Sequence, residues 1–328
     1  MEDGLQNKIE RIQVLRFFAA FSVMMVHLPI FGFGIWGVDI FFVISGFIMM
    51  YVTENNEKHF FIKRIFRIVP LYWILTIGVF FIAFLKPDYL NNTTANIEHL
   101  IKSLFFIPFD KNGIGHFPVL FLGWTLNFEI IFYLIFGVSL FFFKKNRFLF
   151  CSLLIILFYF INLFLSKENF IFKTYADDMF FEFIFGMAAY IIWKKFGNNY
   201  SSNSFVNISS LFLLIFLILL FKNFKTLRFL NYGLPSFFLL IYFLFFLDKI
   251  KFPKVFIMLG DASYCIYLIH PYLIQFFYKI LDISKFSFFI ESIFTIFIIL
   301  CVFLISIIIY KFIEAPINQK LRNKILFR

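Results

Sequence analysis

The sequence predicts an all-α, polytopic membrane protein, and three observations carry that prediction. Hydrophobic residues make up 62% of the chain and charged residues only 15%, with a mean hydropathy of +0.90, well outside the range of soluble globular domains. The apolar residues run in ten continuous stretches of spanning length rather than in short alternations, which favours helices over strands. The basic residues gather in the segments between those stretches, as topology signals do. A net charge of +11 would point to nucleic acid in a soluble protein; here the loop clusters account for it, and no nucleic-acid partner is expected.

The ten stretches fall near residues 12–30, 35–53, 68–86, 118–143, 148–165, 177–193, 205–221, 229–247, 255–278 and 287–313. An even number puts both termini on one side. Placing the N-terminus in the cytoplasm leaves 20 of the 30 Lys and Arg residues on the inner side, so both termini are expected inside. Lys222, Lys225 and Arg228 are local exceptions in an outer loop. The basic N-terminus resembles a signal peptide, but its apolar run holds two ionisable residues and lacks a small-residue cleavage site, so a retained first helix is expected. The longest outer loop, about residues 87–117, contains the semi-apolar IEHLIKSLFFIPF, and loops of this length are usually functional. No repeat or low-complexity linker divides residues 1–328, which read as one membrane domain. The 60 phenylalanines read as lipid-facing bulk in an AT-rich coding sequence, not as a cofactor-binding stripe.

The first stretch carries Arg16 and His27, charges that lipid-facing helices rarely tolerate and that therefore mark function. Eleven residues apart, they share one helix face about 16 Å apart along the axis. A cation and a titratable imidazole so arranged suit a long substrate with an anionic head and a reactive tail. Asp39, at the outer end of the second stretch, is close enough in sequence to orient the His27 ring as a carboxylate does in hydrolytic triads; its alternative is a helix N-terminal role. Ser45 and Gly46 follow two turns deeper, where a glycine permits close helix packing.

KHFFIKRIFRIVPLYW places Arg64 and Arg67 three apart on one face, a geometry suited to bidentate phosphate binding, and Pro70 and Tyr72 are placed to break or bend the helix there. In GWTLNFEIIFY, Trp124, Asn127 and Glu129 enter an apolar helix; Glu129 needs a polar acceptor site or a buried cation as partner. In DASYCIYLIHPY, Ser263, Tyr267 and His270 recur on one face, lining an interface or a cavity, with His270 either functional or structural. Glu314, in KFIEAPI, is expected to pair with an inner-boundary arginine. His59, His99 and His116 are expected to be solvated loop residues. Cys151, Cys265 and Cys301 have neither metal-ligand nor disulfide spacing and read as packing residues, so no metal is expected. No Gly-rich phosphate loop, HExxH helix or GxSxG elbow is present.

Together these segments resemble the acyltransferase 3 family of multi-pass membrane O-acyltransferases. The likeness rests on Arg16 and His27 with ten residues between them, GVDIFFVISGF, KRIFRIVPLYW, GWTLNFE, SYCIYLIH and the terminal IEAP, in the family's order over nearly the whole chain. Phe128 stands where the family often has Tyr. The resemblance implies transfer of an acyl group, most often acetyl, from cytoplasmic acyl-CoA to a sugar hydroxyl of a surface polysaccharide or lipid-linked glycan, at a bacterial cytoplasmic membrane. It implies a standalone form without the soluble domain that some members carry, and acyl-CoA as co-substrate with no other cofactor. On this reading Arg64, Arg67 and Arg16 hold the phosphates of CoA, and His27, oriented by Asp39, is either general base or acyl acceptor. Ser45, Trp124, Asn127, Glu129, Tyr267, His270 and Glu314 serve the acceptor site or the bundle. A transporter or flippase of lipid-linked sugars is the rival reading. It predicts charges across both halves of the bundle, whereas these motifs concentrate in the first four stretches and the ninth.

Overall fold

The computed structural model describes residues 2–54, 58–91, 93–110, 117–197, 204–221, 227–247 and 250–326. Every regular element among them is a helix. In chain order these are α1 (Glu2–His27), α2 (Gly37–Val52), α3 (Phe60–Leu85), α4 (Ile97–Leu104), α5 (Trp124–Phe142), α6 (Arg147–Leu165), α7 (Phe170–Tyr175), α8 (Phe180–Phe196), α9 (Ser204–Phe221), α10 (Leu234–Phe245), α11 (Lys254–Asp261), α12 (Ser263–Leu281), α13 (Phe288–Ile309) and α14 (Ala315–Leu326). Four helical spans, Phe60–Leu85, Phe121–Phe142, Lys144–Leu165 and Phe288–Asn323, are long and apolar enough to cross a membrane, and a fifth if α11 and α12 count as one.

A helix lies along each of the ten apolar stretches, with three differences in detail. The ninth stretch is interrupted at Ala262, giving α11 and α12. α3 begins eight residues earlier than the hydropathy suggests and runs unbroken through Pro70. A proline inside a helix removes one backbone hydrogen bond, and here the buried Ile68, Leu71 and Tyr72 hold the segment against its neighbours. The third difference is α4, a helix within the long loop near residues 87–117. Asn96 caps it by accepting from the His99 amide at 2.9 Å, the local signal of a helix start.

The chain divides into two compact units. Unit 1 comprises Met1–Ala19, Ile35–Lys58 and Ile131–Asp261. Its centre is the contact of α2 with α8, where Gly46 and Gly186 face each other's helix. A Cβ at Gly46 would run into the Phe183 carbonyl, and one at Gly186 into the Val43 carbonyl, so these small residues set how closely the backbones approach. Phe183 fills the adjoining space, stacked on Phe132 at 4.1 Å between ring centroids.

Unit 2 comprises Ala20–Gly34, His59–Ile130 and Ala262–Arg328. Here the described part of that loop is tied down on two sides. Tyr72 donates its hydroxyl to the Ser103 carbonyl at 3.0 Å and Trp73 its indole N–H to the Leu104 carbonyl at 2.8 Å. The Val119 amide donates to Ser103 Oγ at 2.9 Å. Tyr272 of α12 donates to the Val119 carbonyl at 3.0 Å and accepts from the Phe121 amide at 2.7 Å. These bonds satisfy backbone groups that an irregular apolar segment would otherwise leave orphaned, and they fix the entry into α5.

His99 is the clearest departure from expectation in this region. It is 3% exposed rather than solvated; its Nε2 donates to the Phe117 carbonyl at 3.0 Å and its ring stacks on Phe109 at 4.5 Å. The α4 helix is amphipathic, so one face turns His99 and Ser103 inward while Ile97, Ile101 and Phe105 stay exposed. His59 lies at the start of α3 with a positive φ of 58° and is exposed. His116 falls outside the described residues.

Candidate functional site

Nine of the expected site residues lie in unit 2: His27, Arg64, Arg67, Trp124, Asn127, Glu129, Tyr267, His270 and Glu314. Arg16, Asp39 and Ser45 lie in unit 1.

The centre of the unit 2 group is a pair of histidines. His27 is the last residue of α1 and is half-buried; His270, in the middle of α12, is completely buried. Their rings lie edge to face, 4.9 Å between centroids, and His270 Nε2 stands 3.2 Å from His27 Nδ1. Each ring also places its Nδ1 against the carbonyl one helical turn earlier, His27 at 2.9 Å from Val23 and His270 at 2.8 Å from Ile266.

This network assigns the tautomers. A carbonyl oxygen only accepts, so the Nδ1 facing it must carry the proton in each ring. His270 Nε2 is then a lone-pair acceptor for the His27 Nδ1–H, which it shares with the Val23 carbonyl. His27 Nε2 is left with its own lone pair, on the more exposed of the two rings. A nitrogen in that state can take a proton from a hydroxyl or attack a carbonyl carbon. Should it become protonated, the two acceptors already on Nδ1–H stabilise the imidazolium, the service a buried carboxylate gives in hydrolytic triads.

Around this pair, Phe121 sets its ring edge to face with His27 at 6.0 Å. Tyr267 lies 6.4 Å from His270 between ring centroids, and its hydroxyl is 2.9 Å from Thr125 Oγ1. Thr125 in turn donates to the Leu122 carbonyl at 3.1 Å. Thr125 and Tyr272 were not singled out from sequence, because a lone Thr or Tyr in an apolar helix carries no signal by itself.

Arg64 and Arg67 occupy the first two turns of α3 and are half-buried, three residues apart. Trp124 and Glu129 are half-buried on α5, whereas Asn127 is 1% exposed and neither its Oδ1 nor its Nδ2 makes a hydrogen bond. Tyr264 lies within the electrostatic field of both Glu129 and Glu314 and donates to the Ile68 carbonyl at 3.0 Å. Glu314 sits in a π-helical turn, Tyr310–Glu314, and accepts from Cys265 Sγ at 3.0 Å. Cys265 is thus a thiol donor to a carboxylate as well as a packing residue.

Unit 1 holds Asp39, which is completely buried. Arg228 clamps it in a bidentate pair, Nε to Oδ1 at 3.0 Å and Nη2 to Oδ2 at 2.8 Å. Within unit 2, His27 Nδ1 lies against the Val23 carbonyl and His270 Nε2. Glu182, also completely buried, stands beside the pair. Arg228 is one of the three basic residues that depart from the expected charge bias, and that departure is its one signal in the sequence. Arg16 is 8% exposed on α1, and Arg11 of the same helix donates to the Leu244 carbonyl at 3.3 Å. Ser45 is half-buried on α2. Among the described residues, no three His, Cys, Asp or Glu side chains are arranged to hold a metal ion.

A family model described as an acyltransferase domain matches residues 9–311. The chain belongs to the acyltransferase 3 family. Relatives within and around this family include the exopolysaccharide production protein ExoZ of Rhizobium meliloti, 37% identical over 169 residues, covering 50% of this chain and 53% of that protein. A putative acetyltransferase of Acidianus two-tailed virus is 28% identical over 286 residues, covering 81% and 83%. The peptidoglycan O-acetyltransferase OatA of Listeria monocytogenes is 30% identical over 158 residues, covering 42% of this chain and 25% of that protein. The chain thus spans about half the length of the Rhizobium protein and a quarter of the Listeria protein. No solved structure matches it.

Proposed function

We propose that this acyltransferase 3 family member is an integral membrane O-acyltransferase, with ten helical spans and both termini cytoplasmic, in a bacterial cytoplasmic membrane. It moves an acetyl group from acyl-CoA on the inner side to a sugar hydroxyl of a surface polysaccharide or lipid-linked glycan. The relatives named for exopolysaccharide production and for peptidoglycan O-acetylation support a polysaccharide acceptor.

The observation that carries the reading is the His27 and His270 pair, which leaves His27 Nε2 as a lone-pair acceptor. In the reaction, His27 Nε2 takes the proton of the acceptor hydroxyl as its oxygen bonds to the thioester carbonyl carbon. The carbon–sulfur bond then breaks, and the proton passes from His27 to the departing CoA thiolate, so the exchange balances without another reactant. His270 holds the ring in the required tautomer. Arg64 and Arg67 on α3 bind the phosphates of CoA, for which the guanidinium fork is suited. Trp124 and Glu129 lie on the acceptor side.

The test is reconstitution of the purified chain in proteoliposomes with radiolabelled acetyl-CoA and the surface polysaccharide of a strain deleted for the gene. Label appearing as base-labile O-acetyl on the polysaccharide is expected. No transfer by correctly inserted protein contradicts the proposal, and hydroxylamine-sensitive label trapped on His27 replaces direct transfer with an acyl-histidine relay.

A further inference from the structure

Asn127 is a polar side chain that the fold buries and then leaves without a partner. It is 1% exposed, and both the Oδ1 and the Nδ2 of its amide lack a hydrogen bond. Burying an amide unsatisfied costs far more than a hydrogen-bonded one. Three other small polar side chains of unit 2 avoid that cost: Thr76 donates to the Tyr72 carbonyl, Ser103 to the His99 carbonyl and Thr125 to the Leu122 carbonyl, whereas the buried Ser306 hydroxyl, like the Asn127 amide, does not.

An asparagine inside a helix has a local remedy. Asn162 on α6 uses it, donating Nδ2 to the Phe158 carbonyl one turn back at 2.8 Å. The equivalent acceptor for Asn127 is the carbonyl of Gly123, and the amide does not take it.

The position of Asn127 says what it faces. Phe121, Trp124 and Asn127 follow at intervals of three along one side of the α5 entrance. Phe121 meets the His27 ring at the head of that row. Gly123, one turn before Asn127, is in close contact with Tyr72, whose Cε2 would lie 2.5 Å from a Cβ there. Asn127 thus lies one turn beyond Gly123, on the row at the α5 entrance that Phe121 begins at the His27 ring. An indole and a neutral amide one turn apart offer a carbohydrate an apolar ring face to stack on and a paired donor and acceptor for its hydroxyls. A phosphate would call for a cation instead.

We propose that Asn127 is a specificity-determining residue that contacts the acceptor, its amide pairing with hydroxyl groups of the sugar while Trp124 flanks the ring. The inference rests on the acyl-transfer reading of His27.

The experiment compares wild type with Asn127→Leu, a near-isosteric apolar replacement, in the proteoliposome assay with acetyl-CoA and the polysaccharide from the deletion strain. Removing an orphaned amide should leave the melting temperature in detergent unchanged or raised. The KM for polysaccharide should rise about tenfold or more, the scale of one lost hydrogen-bonding group, while the KM for acetyl-CoA stays within about twofold. A fall in melting temperature shows that the amide serves the fold and overturns the proposal. A rise confined to the KM for acetyl-CoA overturns it in favour of an amide of the donor's pantetheine arm. Unchanged kinetics overturn it outright. His27→Ala in the same assay separates the two claims, because retained transfer there sinks the reading of the base whatever Asn127 does.

Discussion

His270 Nε2 lies 3.2 Å from His27 Nδ1, joining two residues 243 positions apart in sequence. The consequence is a histidine held by a histidine, where a carboxylate would be the commoner orienting group. Because His270 is fully buried and its Nδ1–H is committed to Ile266, its Nε2 can act only as an acceptor. That fixes which nitrogen of His27 is available for chemistry.

His270→Phe should therefore lower kcat about 10²-fold, the range of a misdirected general base, with little change in either KM. His270→Gln, whose side-chain oxygen can still accept from His27 Nδ1–H, should recover a measurable part of the loss. Nitrogen NMR of labelled histidine should show His27 as the Nδ1–H tautomer in wild type and a mixture in His270→Phe. Equal losses in the two variants with the tautomer unchanged would reduce His270 to a packing residue.

Asp39 and Arg228 form a bidentate ion pair within unit 1. Removing one partner leaves a buried charge uncompensated, so Asp39→Ala should destabilise the protein by about 3 kcal/mol. The double variant Asp39→Ala with Arg228→Met should be more stable than Asp39→Ala alone. Thermal unfolding in detergent measures both, and strictly additive losses would mean that the pair is not coupled.

Glu54, beyond the end of α2, supplies a pH dependence outside the apolar stretches. Burial works against its carboxylate, but Lys194, Tyr190 and Arg147 around it outweigh that and hold its pKa below the ordinary value. A depressed carboxylate stabilises the fold above its unfolded pKa, and that contribution is lost as pH falls through the folded pKa. The melting temperature of wild type should exceed that of Glu54→Gln at pH 7, and the gap should close as the buffer is taken to about pH 3. A gap independent of pH would show that charge is not its source.

Much of this architecture is legible in the chain, and what is not has physical causes. Long apolar runs place the helices because burial of twenty or so apolar residues leaves few alternatives. The spacing of Arg16 and His27 puts both on α1, since helical periodicity is local. The His27 and His270 contact depends on how α1 and α12 pack, which no local pattern encodes. The Asp39 and Arg228 pair illustrates the same limit, since it joins residues 189 positions apart. The helix at α4 escapes a hydropathy reading because it is short and two-faced, although Asn96 before it is a recognisable cap. His99 is buried for the same reason.

The central claim is that His27 Nε2 is the base that moves the acceptor's proton. The most direct measurement is O-acetyl content, by NMR, of surface polysaccharide from a deletion strain complemented with His27→Ala, with membrane expression matched to wild type. Acetylation reduced to that of the deletion strain is the expected result. Acetylation at the wild-type level would contradict it.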